Sequence, residues 1–328
     1  MTKLVTILGG SGFVGRYVAR RMAQAGWRVR VATRRPNEHL ALRTYGVVGQ
    51  VEPVLCNIRN RDSLRAAMAG ADAVVNCCGI LAESGKNTFA AVQAEGPGMV
   101  ATLAAEMGVA NLVHVSAIGA DAGSDSLYAR SKAAGEAAVL AAFPGAVILR
   151  PSIIFGTEDG FFNRFAAMAR LSPVLPIASG STRFQPVHVD DVARAAAEAA
   201  MGLVPAGTYE LGGPEVASFH DLMVMMLAEI RRNRLILTMP GWMARATARS
   251  LSAAQFLTAG LFTNSVLTMD QLRSLSHDNV VAPGAKGFAD LGIEPAPMAL
   301  ILPTYLWRFR PTGQFEAIKE SARNLNGA

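Results

Sequence analysis

The chain has 328 residues, 51% of them hydrophobic and only 17% charged, with a formal net charge of +6. That length supports one large domain or two intimately joined ones, and the apolar content implies a large core or apolar surface kept for a partner. The basic balance suits anionic partners, but no RNA- or DNA-binding signature accompanies it, so nucleic acid is not an expected partner.

The three cysteines, Cys56, Cys77 and Cys78, are odd in number and fall in apolar runs. They form neither a disulfide framework nor a zinc set, which fits a reducing compartment. Met1 lies so close to the first apolar run that no signal or transit peptide is expected, which favours a bacterial cytoplasm. Leu251–Met269 is the longest uncharged window, but its many polar residues predict a buried or interfacial helix, not a membrane span.

Residues 3–8 (KLVTIL) form a short apolar run and predict a buried strand. Helical spacing runs from Phe13 to Ala25, and Gly26 closes it. Residues 28–33 (RVRVAT) alternate as a second strand. The pattern continues as strand 51–55, helix 62–69, strand 72–77, helix 88–107, strand 111–116, helix 128–142 and strand 146–149. Alternating strands and helices predict an α/β fold with a doubly wound parallel Rossmann sheet over residues 1–150.

After Arg150 the regularity breaks, and residues 151–328 read as a smaller, partly irregular C-terminal lobe with a docking tail. A helix is expected over 190–202, capped by Asp190, a strand over 208–211, and a helix over 219–231 capped by Ser218. The 190–216 stretch is expected to pack back on the Rossmann part. His188, Asp190 and Asp191 could be read as metal ligands, but capping is the simpler role, so no metal is expected.

The stretch "ILGGSGFVGR" places Gly9, Gly12 and Gly15 between a strand and a helix. The first glycine permits a tight turn, Gly12 lets backbone approach a pyrophosphate, and Gly15 lets helix and strand pack closely. The helix N-terminus then offers free N–H groups to phosphates. The second strand ends in Thr33, Arg34 and Arg35 where a site for NAD(H) wants an acidic residue. Guanidinium groups there suit a 2′-phosphate, so NADPH is expected over NADH. Arg34 and Arg35 are also readable as solvated surface cations.

Further motifs follow in order: "YARSK" (Tyr128–Lys132), "LRPSIIFG" (Leu149–Gly156), "FQPVHVDDVA" (Phe184–Ala193) and "YELGGPE" (Tyr209–Glu215). With the glycine stretch they make the chain resemble the extended and atypical short-chain dehydrogenase/reductases, relatives of sugar-nucleotide epimerases and dehydratases. Members that turn over use Tyr-x-x-x-Lys, whose spacing sets both side chains on one helix face. The ammonium lowers the phenol pKa so that it can act as acid or base. Here these would be Tyr128 and Lys132, assisted by Ser116, as candidates for a vestigial site. Lys132 also holds nicotinamide ribose hydroxyls in that class, and Tyr128 is equally readable as a packed aromatic.

Carried over by the same resemblance, Gly9, Ser11, Gly12, Phe13 and Val14 would contact the pyrophosphate. Asn57 and Ile58 would lie near adenine, although the class often has Asp where Asn57 stands. Cys78 and Gly79 would line the ribose side, and Pro151, Ser152 and Ile153 would approach the nicotinamide.

The last third contains "DNVV" (Asp278–Val281), "LGI" (Leu291–Ile293) and "YLWRFRPTGQF" (Tyr305–Phe315). These make the chain similar to one branch, the nucleotide-binding accessory subunit of respiratory complex I, the NADH:ubiquinone oxidoreductase. That resemblance implies tightly bound NADPH off the electron path. It implies docking against other subunits of the peripheral arm, near the membrane-arm junction and the quinone entry. The place would be the cytoplasmic face of a bacterial inner membrane, or the matrix side in an organelle. The aromatics and arginines of the tail suit a headgroup zone with anionic lipid, or else intramolecular packing that closes the lobe. The alternatives are a free-standing NADP-dependent reductase or epimerase, and a regulator that reads the NADP(H) ratio.

Overall fold

The computed structural model describes residues 2–257 and 268–315. Its first half alternates β1 (Leu4–Leu8), α1 (Phe13–Gln24), β2 (Arg28–Thr33), β3 (Val51–Leu55), α2 (Arg61–Met68) and β4 (Ala73–Asn76), then α3 (Gly96–Glu106), β5 (Asn111–Val115), α4 (Leu127–Ala142) and β6 (Val147–Pro151). Beyond β6 come β7 (Ile154–Phe155), α5 (Phe162–Leu171), β8 (Val174–Ala178), β9 (Arg183–Phe184), β10 (Val187–His188) and α6 (Val189–Ala200). The chain then runs through β11 (Gly207–Leu211), β12 (Ala217–Ser218), α7 (Phe219–Glu229), β13 (Leu235–Met239), α8 (Gly241–Leu257), α9 (Met269–Ser274) and α10 (Met298–Leu306).

Seven strands form the main sheet in the order β3-β2-β1-β4-β5-β6-β11. Every pairing in it is parallel. The order reverses between β1 and β4, which opens a crevice at the carboxyl ends of those strands. β1 is buried at every position, as a strand covered on both faces must be. One face packs on Val18, Met22 and Ala23 of α1 and on the alanines of α6. The other packs on Leu64 and Met68 of α2, Leu103 of α3 and Val139 of α4. The doubly wound Rossmann expectation therefore matches the architecture.

The 88–107 helix is corrected. It splits into a π-turn, Ala90–Glu95, and α3. Pro97 has no N–H to continue an α-helical ladder, and Gly96 N–H reaches back five residues to Ala91 O. Asp190 does not cap α6, because His188 occupies the cap position. Its carboxylate instead takes both Nε and Nη2 of Arg21 on α1, at 2.8 and 2.7 Å. Ser218 does cap α7, accepting from Asp221 N–H at 3.1 Å.

The lobe has its own core, where Phe155, Phe162, Phe184 and Phe219 meet Met223 and Met226 of α7 and Leu302 and Leu306 of α10. Several of these rings meet edge to face, at centroid separations of 5–6 Å, the arrangement aromatic quadrupoles favour. The Tyr305–Phe315 segment belongs largely to this core. Tyr305, Leu306 and Phe309 are buried. Tyr305 donates to the buried Asp159 carboxylate at 2.6 Å, Arg308 donates to Asn163 Oδ1 at 2.6 Å, and Arg310 pairs with Glu229. These contacts carry the intramolecular-packing reading for Tyr305, Phe309 and Arg310, while Arg308 and Phe315 are exposed.

"DNVV" is a latch between the two halves. Asp278 accepts from the Arg183 backbone N–H and Nε, each at 2.8 Å. Asn279 accepts from Ser152 Oγ through its side chain and donates to Ile118 O. "LGI" closes a turn that inserts Ile293 into the core beside α6. Among the described residues no helix is long and apolar enough to cross a membrane. The uncharged window Leu251–Met269 lies mostly outside the described residues; its first seven positions end α8.

Candidate functional site

The crevice is walled by the glycine turn, the ends of β2, β4 and β5, and the start of α4. Gly9 sits at φ +71°, and its N–H donates to Ala32 O at 3.0 Å, tying the turn to β2. A Cβ on Gly15 would fall 2.4 Å from Gly9 O and 2.6 Å from Gly10 Cα. Only hydrogen fits there, so the close approach of α1 to the turn requires this glycine. Gly12 is exposed and precedes the first turn of α1, and no side chain caps that turn. Its N–H groups thus remain available to an anion.

Ser11 Oγ donates to Thr33 Oγ1 at 3.0 Å, which joins the turn to the end of β2. Phe13 and Val14 are half-buried at the start of α1, with Phe13 edge-on to Tyr17. Arg34 and Arg35 are both exposed just beyond β2. Arg35 pairs with Glu38, whereas Arg34 has no hydrogen bond or ion pair among the described residues. Asn57 and Ile58 follow β3. Asn57 folds over its own turn by accepting from Arg59 N–H, and Ile58 packs beneath Gly96.

Cys78 and Gly79 follow β4. Burial pushes the Cys78 thiol up to about 12, and raises Cys77 as well. Both remain protonated wall residues at neutral pH. Gly79 lies against Lys132, whose Nζ would stand 3.5 Å from a Cβ placed there.

Ser116, at the end of β5, is buried, and its Oγ has no hydrogen-bond partner among the described residues. A buried hydroxyl left open in this way points to a ligand atom absent from the chain itself. Lys132 is buried and donates to Val115 O at 3.2 Å. Burial lowers its pKa to about 8, against the opposing pull of Glu136 one turn away. Glu136 is itself held by Arg150, at 2.6 Å, and Arg150 leans on Glu210 at 3.5 Å.

Tyr128 stacks edge to face on Phe89, with Lys132 Nζ 6.0 Å from its ring centroid. The resemblance implied a phenol activated by lysine. Here burial dominates and pushes the phenol up to about 12, so it is a protonated donor. Pro151 ends β6, and Ser152 and Ile153 follow it, each with a partner of its own. Pro151 pairs with Leu211 in the sheet, Ser152 Oγ is engaged by Asn279, and Ile153 packs against the lobe core.

Two residues escaped the sequence reading. His114 lies two positions before Ser116, on the same face of β5. It is buried, its Nδ1 meets Asn76 Nδ2 at 3.2 Å, and its Nε2 has no partner among the described residues. Burial and the nearby Lys132 charge lower its pKa to about 3, so the ring is neutral. A polar residue in an otherwise apolar strand was the available signal. Gln93, on the π-turn, donates to Ile80 O at 2.8 Å and accepts from Ser131 Oγ at 2.9 Å. Only the π-turn aims it there.

The glycine cradle, the open Ser116 hydroxyl and the unpaired Arg34 together fit a nicotinamide dinucleotide. Among the described residues no cluster of His, Cys, Asp and Glu could hold a metal ion.

Comparison with known proteins agrees with this geometry. Residues 5–212 match the NAD dependent epimerase/dehydratase family. The chain is 34% identical over 318 residues to the NADH dehydrogenase [ubiquinone] 1 alpha subcomplex subunit 9, mitochondrial, of Arabidopsis thaliana, covering 94% of this chain and 79% of that protein. It is 36% identical over 190 residues to a ceramide reductase of Caulobacter vibrioides, covering 58% of each. Among solved structures, gox2253 superposes with a TM-score of 0.68 at 21% identity, over 95% of this chain and 99% of that one. The last comparison shows the fold alone.

Proposed function

We propose, from the premise that this chain belongs to the NAD dependent epimerase/dehydratase family and to its complex I alpha-subcomplex-subunit-9 branch, that it is an accessory subunit of respiratory complex I holding NADPH as a structural ligand. One observation carries the reading. The similarity to the Arabidopsis subunit runs through 94% of the chain, including the lobe beyond residue 212, where the epimerase match ends. A shared nucleotide cradle alone would not extend there.

In this reading Gly9, Gly12, Gly15 and the first turn of α1 hold the pyrophosphate, and Ser11, Phe13 and Val14 shape its bed. Arg34, with Thr33 and Arg35 beside it, takes the 2′-phosphate. Asn57 and Ile58 flank the adenine, and Cys78 and Gly79 line the ribose. Ser116, Tyr128 and Lys132 bind and orient the nicotinamide end, with Pro151, Ser152 and Ile153 forming the wall behind. When bound, such a cofactor supplies hydride exchange at its ring. Lys132 donates to ribose hydroxyls, and the protonated Tyr128 donates from its phenol. A ligand that binds only the native chain stabilises it by mass action, so tight binding serves assembly without turnover.

The partners are other subunits of the peripheral arm at its junction with the membrane arm, near the quinone site, with anionic lipid headgroups alongside. The place is the cytoplasmic face of a bacterial inner membrane, or the matrix face in a mitochondrion. Purifying the tagged chain from detergent-solubilised membranes tests this. The expected result is co-elution with a large NADH-oxidising assembly that releases one NADPH per copy on acid extraction. Elution as a free monomer or dimer overturns it.

A second reading is a free-standing NADPH-dependent reductase of a lipid-like carbonyl compound. The convergence of Ser116, Tyr128 and Lys132 favours it, together with the similarity to the Caulobacter reductase. It requires the isolated chain to oxidise NADPH with such a compound.

A further inference from the structure

We infer that α9 is a built-in partition that shuts Tyr128 off from a cavity in the lobe, and that Asp270 is its latch. The inference deepens the accessory-subunit reading, because it gives a physical cause for a dinucleotide site that does not turn over.

A cavity of about 1220 Å³ lies between the β8–β9 turn, the start of α7, the β13–α8 junction and α9. Its walls mix Arg183, Arg245, Arg273 and His220 with apolar residues such as Met239 and Leu272, enough room for an organic substrate. It reaches Asp125, three residues before Tyr128, yet Ser116, Tyr128 and Lys132 are not among its walls. What intervenes is α9.

The helix serves two sides at once. Met269, Leu272, Arg273 and the following Ser276 face the cavity, at the spacing of one helical face. Asp270 and Ser274, one turn apart, face the start of α4 instead. Asp270 accepts from Leu127 N–H at 2.6 Å, from Tyr128 N–H at 3.1 Å and from Ser126 Oγ at 2.9 Å. Ser126 Oγ gives its proton to Asp270, so Ser274 is the donor in their 3.1 Å contact. Arg273 adds a long bond to Asp125 O at 3.5 Å.

A carboxylate is well placed there, because the exposed N–H groups and dipole of a 16-residue helix favour negative charge. None of the six residues of α9 is buried. Its side toward α4 is thus held by polar bonds, while Leu275, just after the helix, packs against the lobe core and keeps its far end in place. Removing Asp270 should free the side of α9 that faces Tyr128 and leave the three cores intact.

The test needs a readout that does not depend on cofactor. Nitration of tyrosines by tetranitromethane, followed by mass spectrometry on the ligand-free chain, supplies it. Tyr45, half-buried like Tyr128, is the internal reference for the rate. Asp270→Ala should raise the Tyr128 rate at least tenfold and leave Tyr45 unchanged. A lock guards against misfolding. In Asp270→Ala with Ser126→Cys and Ser274→Cys, the oxidised chain should protect Tyr128 and the reduced chain expose it. In parallel, 9,10-phenanthrenequinone should drive NADPH oxidation at least tenfold faster in Asp270→Ala than in the wild type, and adding Tyr128→Phe should abolish the gain. Equal nitration of Tyr128 in wild type, opened and locked chains overturns the partition, even with NADPH bound one to one. Nitration that follows the prediction in a chain that binds no NADPH upholds the partition and overturns the cofactor reading.

Discussion

The nucleotide crevice and the C-terminal lobe treat their polar groups in opposite ways. Around the crevice, among the described residues, Ser116 Oγ and His114 Nε2 are buried without partners, Arg34 stands unpaired, and no side chain caps the first turn of α1. In the lobe most polar groups close on one another: Tyr305 on Asp159, Arg310 on Glu229, Asn279 on Ser152, Arg232 on Phe309 O; Thr312 Oγ1 is an exception, buried without a partner among the described residues. Unmet hydrogen-bonding capacity in a folded chain marks where a ligand belongs, and met capacity marks structure. The difference teaches that the string of aromatics and arginines near the C-terminus builds the lobe, while the binding chemistry sits in the first half.

The largest expected effect is in the cradle. Gly15→Ala forces a methyl onto Gly9 O and should cost about 3 kcal/mol of stability and abolish measurable dinucleotide binding, by thermal unfolding and calorimetry. Full binding by that variant would break the comparison at its root.

The buried Lys132 comes next. Its folded pKa of about 8 lies below its ordinary value of 10.5, so between those values the unfolded chain holds more protons. Stability of the ligand-free protein should therefore rise with pH across that window, by about 3 kcal/mol from this group. Denaturant titrations at several pH values should show that rise in the wild type and not in Lys132→Met.

For the lobe, Tyr305→Phe removes the donor to the buried Asp159 carboxylate. It should cost about 2 kcal/mol in denaturant unfolding and leave NADPH affinity alone. A loss of NADPH affinity would show that the two regions are coupled.

Arg34→Ala should weaken NADPH about tenfold and change NADH by less than about threefold, in fluorescence titrations. Equal loss for both removes the 2′-phosphate role. The smallest effect is expected from Tyr128→Phe, whose phenol has no hydrogen bond among the described residues. Stability should move by less than about 0.5 kcal/mol, and the parent assembly's NADH oxidation should stay within about twofold. A larger fall with assembly intact favours the reductase reading.

Much of this was legible in the residues themselves. Apolar runs such as "LVTIL" and "RVRVAT", punctuated by glycines, carry strand boundaries directly, because a strand buried on both faces tolerates nothing else. The glycine spacing fixed the cradle, because Gly15 has no room for any side chain. Ser218 announced its cap for the same kind of local reason.

What the tertiary structure decided were matters of distant contact. The line Asp190 to Arg21 spans 169 residues, and no local pattern distinguishes that ion pair from a helix cap. Pro97 hinted at a break, but the π-turn that aims Gln93 at Ser131 depends on how α3 meets α4. Whether Tyr305 and Phe309 face a partner or a core depends on α5 and α7 closing over them. The fold class and the nucleotide cradle follow from periodicity and backbone sterics, which act within a few residues. The fate of the C-terminal aromatics, the pKa of Lys132 and the partition at Asp270 follow from burial and electrostatics, which exist only once distant segments meet.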